Sequence, residues 1–231
     1  MANLQRRETK KDSQRSYHKY TFFKVDKAWR SLSKSKKEST KTEFVNVIND
    51  FSQRLAIRCF SLVGIRGDTD FMIWSVTTKI EYIHQLGCNI LGTNMARYVD
   101  IPYSYLAMSK PSPYFKSSPI DSKVEGKSKF VFVYPFTKKK EWYRLPLEKR
   151  IKIMREHSRI GLKYPVKIHT GYSFGIDDQE FMLAFEADDP IHFLDLVEDL
   201  RRSEASSYTL LETPIFTCLA KDAKGMMDAL G

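Results

Sequence analysis

The feature that most constrains the fold is a repeat shared by the two halves of the chain. The segment GIRGDTDFMIW at residues 64–74 and the segment GIDDQEFMLAF at residues 175–185 both run from Gly-Ile through acidic turn residues to Phe-Met and an aliphatic residue. Turn residues followed by an apolar run are typical of a hairpin loop that leads into a strand. A repeat of this kind predicts that the 231 residues form two copies of one supersecondary unit.

The periodicity of apolar residues predicts the same order of strands and helices in both halves. In the first half, strands are predicted at residues 20–25, 57–63, 71–76 and 103–108, and helices at 43–55 and 79–91. In the second half, strands are predicted at residues 130–136, 166–174, 180–185 and 214–218, and helices at 147–160 and 190–202. The order β-α-β-β-α-β is that of the ferredoxin-like unit.

We therefore expect an α+β fold in which two tandem ferredoxin-like units pack as a dimeric-type α+β barrel. A single sheet of this kind carries helices on one face only, and packing two sheets together covers the other face. The predicted parts are a basic N-terminal arm at residues 1–18, an N-terminal half at 19–109, a linker or flap at 110–128 and a C-terminal half at 129–231. The linker holds three of the nine prolines, which favours a loop.

The net charge of +10 is concentrated at one end of the chain, because residues 1–41 contain 13 Lys and Arg against 4 Asp and Glu. We expect this segment, including the Ser- and Lys-rich stretch 31–41, to be a solvated and partly disordered tail. The charge therefore does not mark a folded face, and nucleic acid is disfavoured as a partner.

The three cysteines have no ligand-like spacing, which is typical of a reducing compartment. No apolar run approaches the ~18 residues of a membrane span, and the N-terminus lacks the apolar core of a secretory signal. We expect a cytoplasmic protein.

His157 is the histidine whose position in the sequence best suits a site. It follows Leu147, Ile151 and Met154 at helical spacing, which places it at the edge of the apolar face of its helix. Taken alone, a histidine here is more often a core or capping residue than a ligand.

His169 lies in the strand VKIHTGYSF, where alternation places it on the opposite face from Ile168 and Thr170. The sequence leaves open which face lies inside the barrel, and a half-exposed strand histidine is the default expectation. The other histidines have no chemical context and are discounted; they are His18 in the predicted tail, His84 and His192.

Tyr134 and Lys138 lie at the end of an aromatic strand, FVFVYPF, and just beyond it. Tyr134 shares a face with Phe130 and Phe132, so it either fills the core or faces a site. Pro135 predicts that the strand is an edge strand or ends there. Lys138 opens a run of three lysines that is either a solvated loop or a carboxylate-binding group.

Three segments of the second half resemble the chlorite dismutase superfamily, and within it the coproheme decarboxylase branch. They are YPFTKKKEWYRLPLEKRIKIMREHSRIGLKYP at residues 134–165, GIDDQEFMLAFEADDP at 175–190 and ETPIFT at 212–217. The resemblance covers residues 125–218 strongly and the first half through its duplicated fold.

The resemblance implies a barrel of two ferredoxin-like halves, assembly into a homopentameric ring and an iron porphyrin bound by the C-terminal half. It implies that His157 is the proximal ligand of the haem iron, that Tyr134 is the redox tyrosine and that Lys138 lies near a porphyrin propionate. The implied reaction is oxidative decarboxylation of iron coproporphyrin III, which is both substrate and cofactor. Hydrogen peroxide is the oxidant, a Tyr134 radical takes a hydrogen from a propionate, and two rounds yield haem b.

The strand after His157 departs from the family pattern. True chlorite dismutases carry a distal Arg on this strand, whereas here it reads VKIHTG, so chlorite dismutation is disfavoured. Where decarboxylases carry a distal Gln, a one-residue gap leaves Ile168, His169 and Thr170 as candidates, and His169 is the imidazole among them.

Two alternatives stay open at this point. The first is a haem-binding protein of the same superfamily that does not decarboxylate, or that acts as a weak peroxidase. The second, which is disfavoured, is a tandem RRM-like nucleic-acid binder, since KFVFVY at residues 129–134 lacks the glycines of the RNA-binding strand motif.

Overall fold

A computed structural model describes residues 15–114 and 126–231 of the chain. The first half contains β1 (Tyr17–Val25), α1 (Lys34–Phe51), β2 (Ala56–Ser61), β3 (Phe71–Thr77), α2 (Ile80–Gly92) and β4 (Val99–Met108). The second half contains β5 (Phe130–Lys138), α3 (Lys140–Arg144), α4 (Leu147–Gly161), β6 (Lys167–Tyr172), β7 (Phe181–Ala187), α5 (Pro190–Arg201), β8 (Thr209–Leu211), β9 (Phe216–Lys221) and α6 (Ala223–Asp228). The predicted α+β fold is confirmed, with the two β-α-β-β-α-β units in the predicted order.

The strands close into an antiparallel barrel. Their order is β7-β6-β4-β1-β3-β2-β9-β5, and β5 pairs with β7 to close it, with Phe130 opposite Ala187 and Phe136 opposite Phe181. The two halves join at β2–β9 and at β4–β6. The second junction is slight, because within the described residues β4 and β6 pair only at Met108 and Tyr172.

The inside of the barrel holds one hydrophobic core that both halves build. Phe22 of β1 stacks on Phe216 of β9 with ring centroids 4.0 Å apart, which ties the first half to the second. The other large members are Tyr20, Phe60, Met72, Trp74, Val131, Val133 and Met182. Alternation along each strand sends the intervening residues outward, where they pack beneath the helices.

The outer faces of the two halves differ. In the first half the space between sheet and helices is filled by aromatic rings, among them Phe23, Phe44 and Phe71, and by two methionines of α6. In the second half Phe132 packs on Phe193 of α5 at 4.1 Å, while the sheet beside it is left open as a cavity. The duplication is therefore a duplication of fold, with a pocket in the second half.

The stretch 31–41 corrects one expectation. It was predicted to be part of a disordered tail, but Ser33 caps α1, its Oγ accepting a hydrogen bond from the Lys36 backbone N–H at 3.3 Å. Lys41 is buried and pairs with Glu38 at 3.3 Å. The aliphatic part of a lysine can be buried while its amine stays paired. The basic residues of this stretch therefore form the first turns of α1.

The position of His18 differs from a second expectation. The predicted arm at residues 1–18 placed it in a tail, but β1 already begins at Tyr17 and His18 is buried, 4% exposed. The rest of the arm as far as residue 14, and residues 115–125 of the predicted linker, lie outside the described residues.

Pro135 does not end β5 as predicted. The strand continues to Lys138, and Pro135 stays opposite Met182 of β7. On its other side β5 pairs with β9 only from Phe130 to Val133. A proline has no N–H to donate, and here it falls just past the end of that second pairing, where the lost donor costs little. No helix of the described residues is long and apolar enough to cross a membrane.

Candidate functional site

A cavity of about 360 Å³ lies between the outer face of β5, β6 and β7 and the helices α4 and α5. Its volume falls within the range of about 300–1,000 Å³ typical of small-molecule sites. The walls are largely apolar and aromatic, with Phe136, Ile168, Leu183 and Phe185 on the sheet side. A few polar groups converge on this apolar space, which is the usual composition of a ligand pocket.

His157 enters the cavity from α4. Burial, together with the positive charge of Lys138, lowers the pKa of its imidazole to about 4, so the ring is neutral near pH 7. Its Nδ1 is buried and accepts or donates no hydrogen bond within the described part of the chain. A neutral imidazole with an unsatisfied buried nitrogen is the form of histidine that binds a metal.

Tyr134 lines the cavity from β5. Its ring lies parallel to Phe185 of β7, with centroids 5.7 Å apart and an angle of 7°. Burial, and then the nearby Glu212 carboxylate, raise the pKa of the phenol, so it stays protonated throughout the neutral range. The side chain is 7% exposed and held by stacking, which fixes its hydroxyl group relative to the cavity.

Lys138 lies at the end of β5 and faces the same cavity. Its Nζ lies 4.5 Å from the Trp142 ring centroid and 5.1 Å from that of Phe136, which are cation–π distances. Burial lowers the pKa of the amine to about 8, although the Glu180 carboxylate opposes this shift. Lys138 is therefore a buried and mostly charged amine, suited to an anionic group inside the cavity.

Strand β6 separates the three residues predicted for the distal pocket. Ile168 and Thr170 are on the cavity side and exposed, whereas His169 points into the barrel and is 3% exposed. The expectation of a half-exposed His169 is wrong, because Glu186 of β7 holds the ring, with Nε2 2.6 Å from Oε1. The cavity still reaches His169 and His18 at the edge of β6.

Sequence reasoning missed an ion pair in the cavity wall. Arg201, the last residue of α5, forms an ion pair with Glu212, and both side chains line the cavity near Tyr134. Glu212 belongs to the segment ETPIFT that carried the resemblance, which is a signal that could have singled it out. Arg201 carried no such signal, since its position depends on how α5 packs.

The sequence model of a known family matches most of the chain. The model is described as Chlorite dismutase and matches residues 37–221. The chain belongs to the chlorite dismutase family. The match includes strands of both halves of the barrel, so the resemblance noted for residues 125–218 extends through the first half as well.

Individual proteins similar to this chain support the same family. A coproheme decarboxylase from Mycolicibacterium smegmatis is 34% identical over 161 residues, which is 68% of this chain and 70% of the relative. A chlorite dismutase from Candidatus Nitrospira defluvii in complex with imidazole superposes with a TM-score of 0.85 at 22% identity, covering 92% of this chain and 94% of the other. A single-residue variant of that enzyme in complex with cyanide gives the same TM-score at 21% identity, covering 92% and 93%. These structures establish the fold.

Proposed function

We propose that this protein catalyses the peroxide-driven oxidative decarboxylation of iron coproporphyrin III to haem b. The observation that carries the proposal is the convergence of Tyr134, His157 and Lys138 on one apolar cavity. Tyr134 and Lys138 come from β5 and His157 from α4, and each supplies a different chemical property that the reaction needs. The 34% identity to a coproheme decarboxylase supports the same choice within the family.

The residues present fit an iron porphyrin. Within the described residues no three His, Cys, Asp or Glu side chains form a metal-binding cluster, but a porphyrin brings four nitrogen ligands of its own and needs one axial side chain. His157 would be that ligand. The aromatic wall of Phe136 and Phe185 would face the ring. When bound, the iron porphyrin supplies the redox chemistry with peroxide.

We assign Tyr134 to the oxidation of the propionate side chain. It is a protonated phenol held rigidly against Phe185, and as a phenoxyl radical it takes a hydrogen atom from the propionate side chain. Loss of one further electron and of CO2 leaves a vinyl group. For each propionate the balance is one carboxylate, one H2O2 and one proton giving one vinyl group, one CO2 and two H2O.

Lys138 is assigned to binding a propionate carboxylate. Its ammonium group is largely removed from water, and a charge-assisted hydrogen bond is stronger there than at the surface. Lys110 and Arg201 also line the cavity, but Lys110 is exposed to solvent and Glu212 already neutralises Arg201. Lys138 is therefore the buried cation that a substrate carboxylate would bind without first breaking an ion pair.

The sheet side of the cavity favours decarboxylation over chlorite dismutation. The residues that β6 turns towards the cavity are Ile168 and Thr170, and neither carries a charge that would hold an oxychlorine anion. We assign these two residues to the distal wall. A homopentameric ring and a cytoplasmic location remain predictions that follow from the resemblance.

The proposal is tested by adding iron coproporphyrin III to the purified porphyrin-free protein, then hydrogen peroxide, and following absorbance and product mass. We expect stoichiometric binding followed by loss of two CO2. His157→Ala should lose the absorbance of the axially ligated iron, whereas His192→Ala, at a half-buried position of α5 that does not line the cavity, should behave as wild type. Binding without loss of CO2 would favour the alternative of a non-decarboxylating haem protein or weak peroxidase. No binding would contradict the proposal.

A further inference from the structure

A histidine and a cysteine lie side by side on the outer surface of helix α2. Cys88 Sγ lies 3.6 Å from His84 Nε2, and both side chains are exposed. Residues at positions i and i+4 share one face of a helix, which is why these two meet. His84 on its own has no chemical context, and the cysteines are not spaced as ligands of one another, but the helix brings one residue of each kind together.

Cys88 is the cysteine whose thiol is accessible. Cys59 and Cys218 are buried in the two hydrophobic layers, whereas Cys88 is exposed. Burial raises the pKa of the Cys59 thiol to about 12 and raises that of Cys218 as well. The deprotonated thiolate is the form of cysteine that binds metals. Among the three cysteines, the chemistry of a soft metal ligand is therefore available at Cys88, beside an imidazole.

The distance between the two ligand atoms suits a tetrahedral metal ion. Bond lengths of about 2.3 Å from Zn²⁺ to sulfur and about 2.0–2.1 Å to nitrogen, at a tetrahedral angle, place these atoms about 3.5–3.6 Å apart. The distance from Cys88 Sγ to His84 Nε2 is 3.6 Å, whereas that to Nδ1 is 4.0 Å. A metal ion could therefore bind Sγ and Nε2 together without a change in the backbone.

The helix holds the pair in this register. Leu86 and Ile90 lie on the opposite side of α2 and are buried in the core of the first half, so they fix which face of the helix is turned to solvent. Two ligands at i and i+4 on one helix face are also the spacing that the HExxH zinc motif uses. Ligands on a rigid element need less ordering when a metal binds than ligands on a loop.

We propose that His84 and Cys88 form a surface site for one thiophilic divalent cation such as Zn²⁺, with water in the other coordination positions. Within the described residues no third His, Cys, Asp or Glu completes a metal-binding group, which is why water is needed. When the metal binds, the S–H bond breaks, the sulfur keeps the electron pair and donates it to the metal, and the proton goes to water. The site lies in the first half of the chain, outside the cavity of the second half, and does not rest on the proposed function.

A simple hydrogen bond between the thiol and the imidazole is the alternative. A thiol is a weak donor, and a neutral imidazole has one nitrogen that accepts. This alternative accounts for the contact between Cys88 and His84, but it predicts no metal binding. The two explanations are therefore separated by a measurement that detects a metal–thiolate bond.

Cobalt provides this measurement, because Co²⁺ occupies the tetrahedral sites of Zn²⁺ and shows an intense near-ultraviolet band when it binds a thiolate. The full-length, fully reduced protein without porphyrin is titrated with Co²⁺ and then with Zn²⁺. We expect the band to saturate at one Co²⁺ per chain and to disappear as Zn²⁺ replaces the cobalt. An excess of Mg²⁺ should leave the band in place, because that ion prefers oxygen ligands.

Single substitutions test each ligand. Cys88→Ser should abolish the band, and His84→Gln should raise the dissociation constant for Co²⁺ by about tenfold or more. Both positions are exposed, so the fold should be unaffected, which circular dichroism verifies. His192→Gln is the matched control, since this histidine of α5 has Asp188 and Leu196 four residues away on either side. It should bind Co²⁺ as wild type does.

A displaced thiol tests the spacing. Cys88→Ser/Asn89→Cys keeps His84 and one thiol at an exposed position of α2. Because each residue turns a helix by about 100°, position 89 lies about 140° around the axis from His84. The displaced thiol cannot share a metal ion with the imidazole, so this variant should bind Co²⁺ as weakly as His84→Gln.

Several outcomes would overturn the site. Absence of the thiolate band in wild type would leave the pair as a hydrogen bond, and persistence of the band in Cys88→Ser would place the metal at another thiol. Wild-type affinity in His84→Gln or in the displaced-thiol variant would show that a single thiol, and not the pair, binds the cation. Cobalt bound at His157 would give no such band, since none of the described residues that line the cavity is a cysteine.

Discussion

The positive charge of Lys138 lies close enough to His157 to lower the pKa of its imidazole, and the two side chains face one cavity. The amine is buried too, which lowers its own pKa to about 8. Because the imidazole is neutral, it does not balance the charge of the buried Lys138 ammonium group, whereas an anion that enters the cavity would. A ligand that offers both a metal for His157 and a carboxylate for Lys138 satisfies both groups.

Lys138→Met should therefore weaken the binding of iron coproporphyrin III by about tenfold, the size of one lost charge-assisted hydrogen bond. The loss should be smaller for a porphyrin whose propionates are esterified, because the amine then has no carboxylate to bind. Affinity is measured by absorbance titration.

The matched control is Lys139→Met. Lys139 is the next residue, is exposed and donates from Nζ to the Ser207 carbonyl at 2.7 Å, so its removal should leave the affinity for the porphyrin unchanged. Equal effects of the two substitutions would mean that a general surface charge, and not the buried amine, attracts the ligand.

The free energy of unfolding should fall as the pH is lowered from about 6.5 to 4. The pKa of His18 is lowered to about 4 in the folded protein, against about 6.5 in the unfolded chain. Below pH 6.5 the unfolded state binds a proton on His18 that the folded state does not bind. The free energy of unfolding therefore falls as the pH falls through this window. The expected contribution of His18 is on the order of 3 kcal/mol.

Urea denaturation at pH 7 and pH 4.5 measures this loss. His18→Gln should make the pH dependence shallower without removing it, because the pKa of His157 is also lowered to about 4, while His84→Gln, exposed on α2, should keep the full dependence. If both variants lose stability with pH as steeply as wild type, His18 is not buried in the neutral form.

Phe216→Ala should lower the free energy of unfolding by about 3–5 kcal/mol, the usual cost of emptying a buried phenylalanine site. Phe216 is fully buried and stacks at 4.0 Å on Phe22 of the other half. The loss should appear as a lower urea midpoint with unchanged slope. Leu162→Ala, at a position that is 84% exposed, is the control and should change stability by less than about 0.5 kcal/mol. A loss below about 1 kcal/mol for Phe216→Ala would show that the two halves are held together by something other than this shared core.

Much of the fold could be predicted because the repeat at residues 64–74 and 175–185 fixes where each hairpin lies. Strand alternation and helix periodicity then determine the order of elements. Parts without a strong apolar period were missed. The start of α1 at Lys34 depends on a side-chain cap at Ser33, and α3 and β8 are too short to show a period.

The residues of the candidate site also differ in how far the sequence predicts them. His157, Tyr134 and Lys138 could be named because sequence motifs surround them, and the structure brings all three to one cavity. The position of His169 could not be decided, since alternation tells which residues share a face of a strand but not which face is inside. The burial of His18 depends on contacts with Trp74 across the barrel, which no local pattern records.

The most direct test of the account is the requirement for Tyr134 in the loss of CO2. Tyr134→Phe keeps the stacking on Phe185 and removes only the hydroxyl group, and Tyr82→Phe, on helix α2 of the other half, is the matched control. Each protein is loaded with iron coproporphyrin III, treated with hydrogen peroxide and analysed by mass spectrometry. The account predicts loss of two CO2 by wild type and Tyr82→Phe, and full porphyrin binding without loss of CO2 by Tyr134→Phe. Loss of both CO2 groups by Tyr134→Phe at the wild-type rate would contradict it.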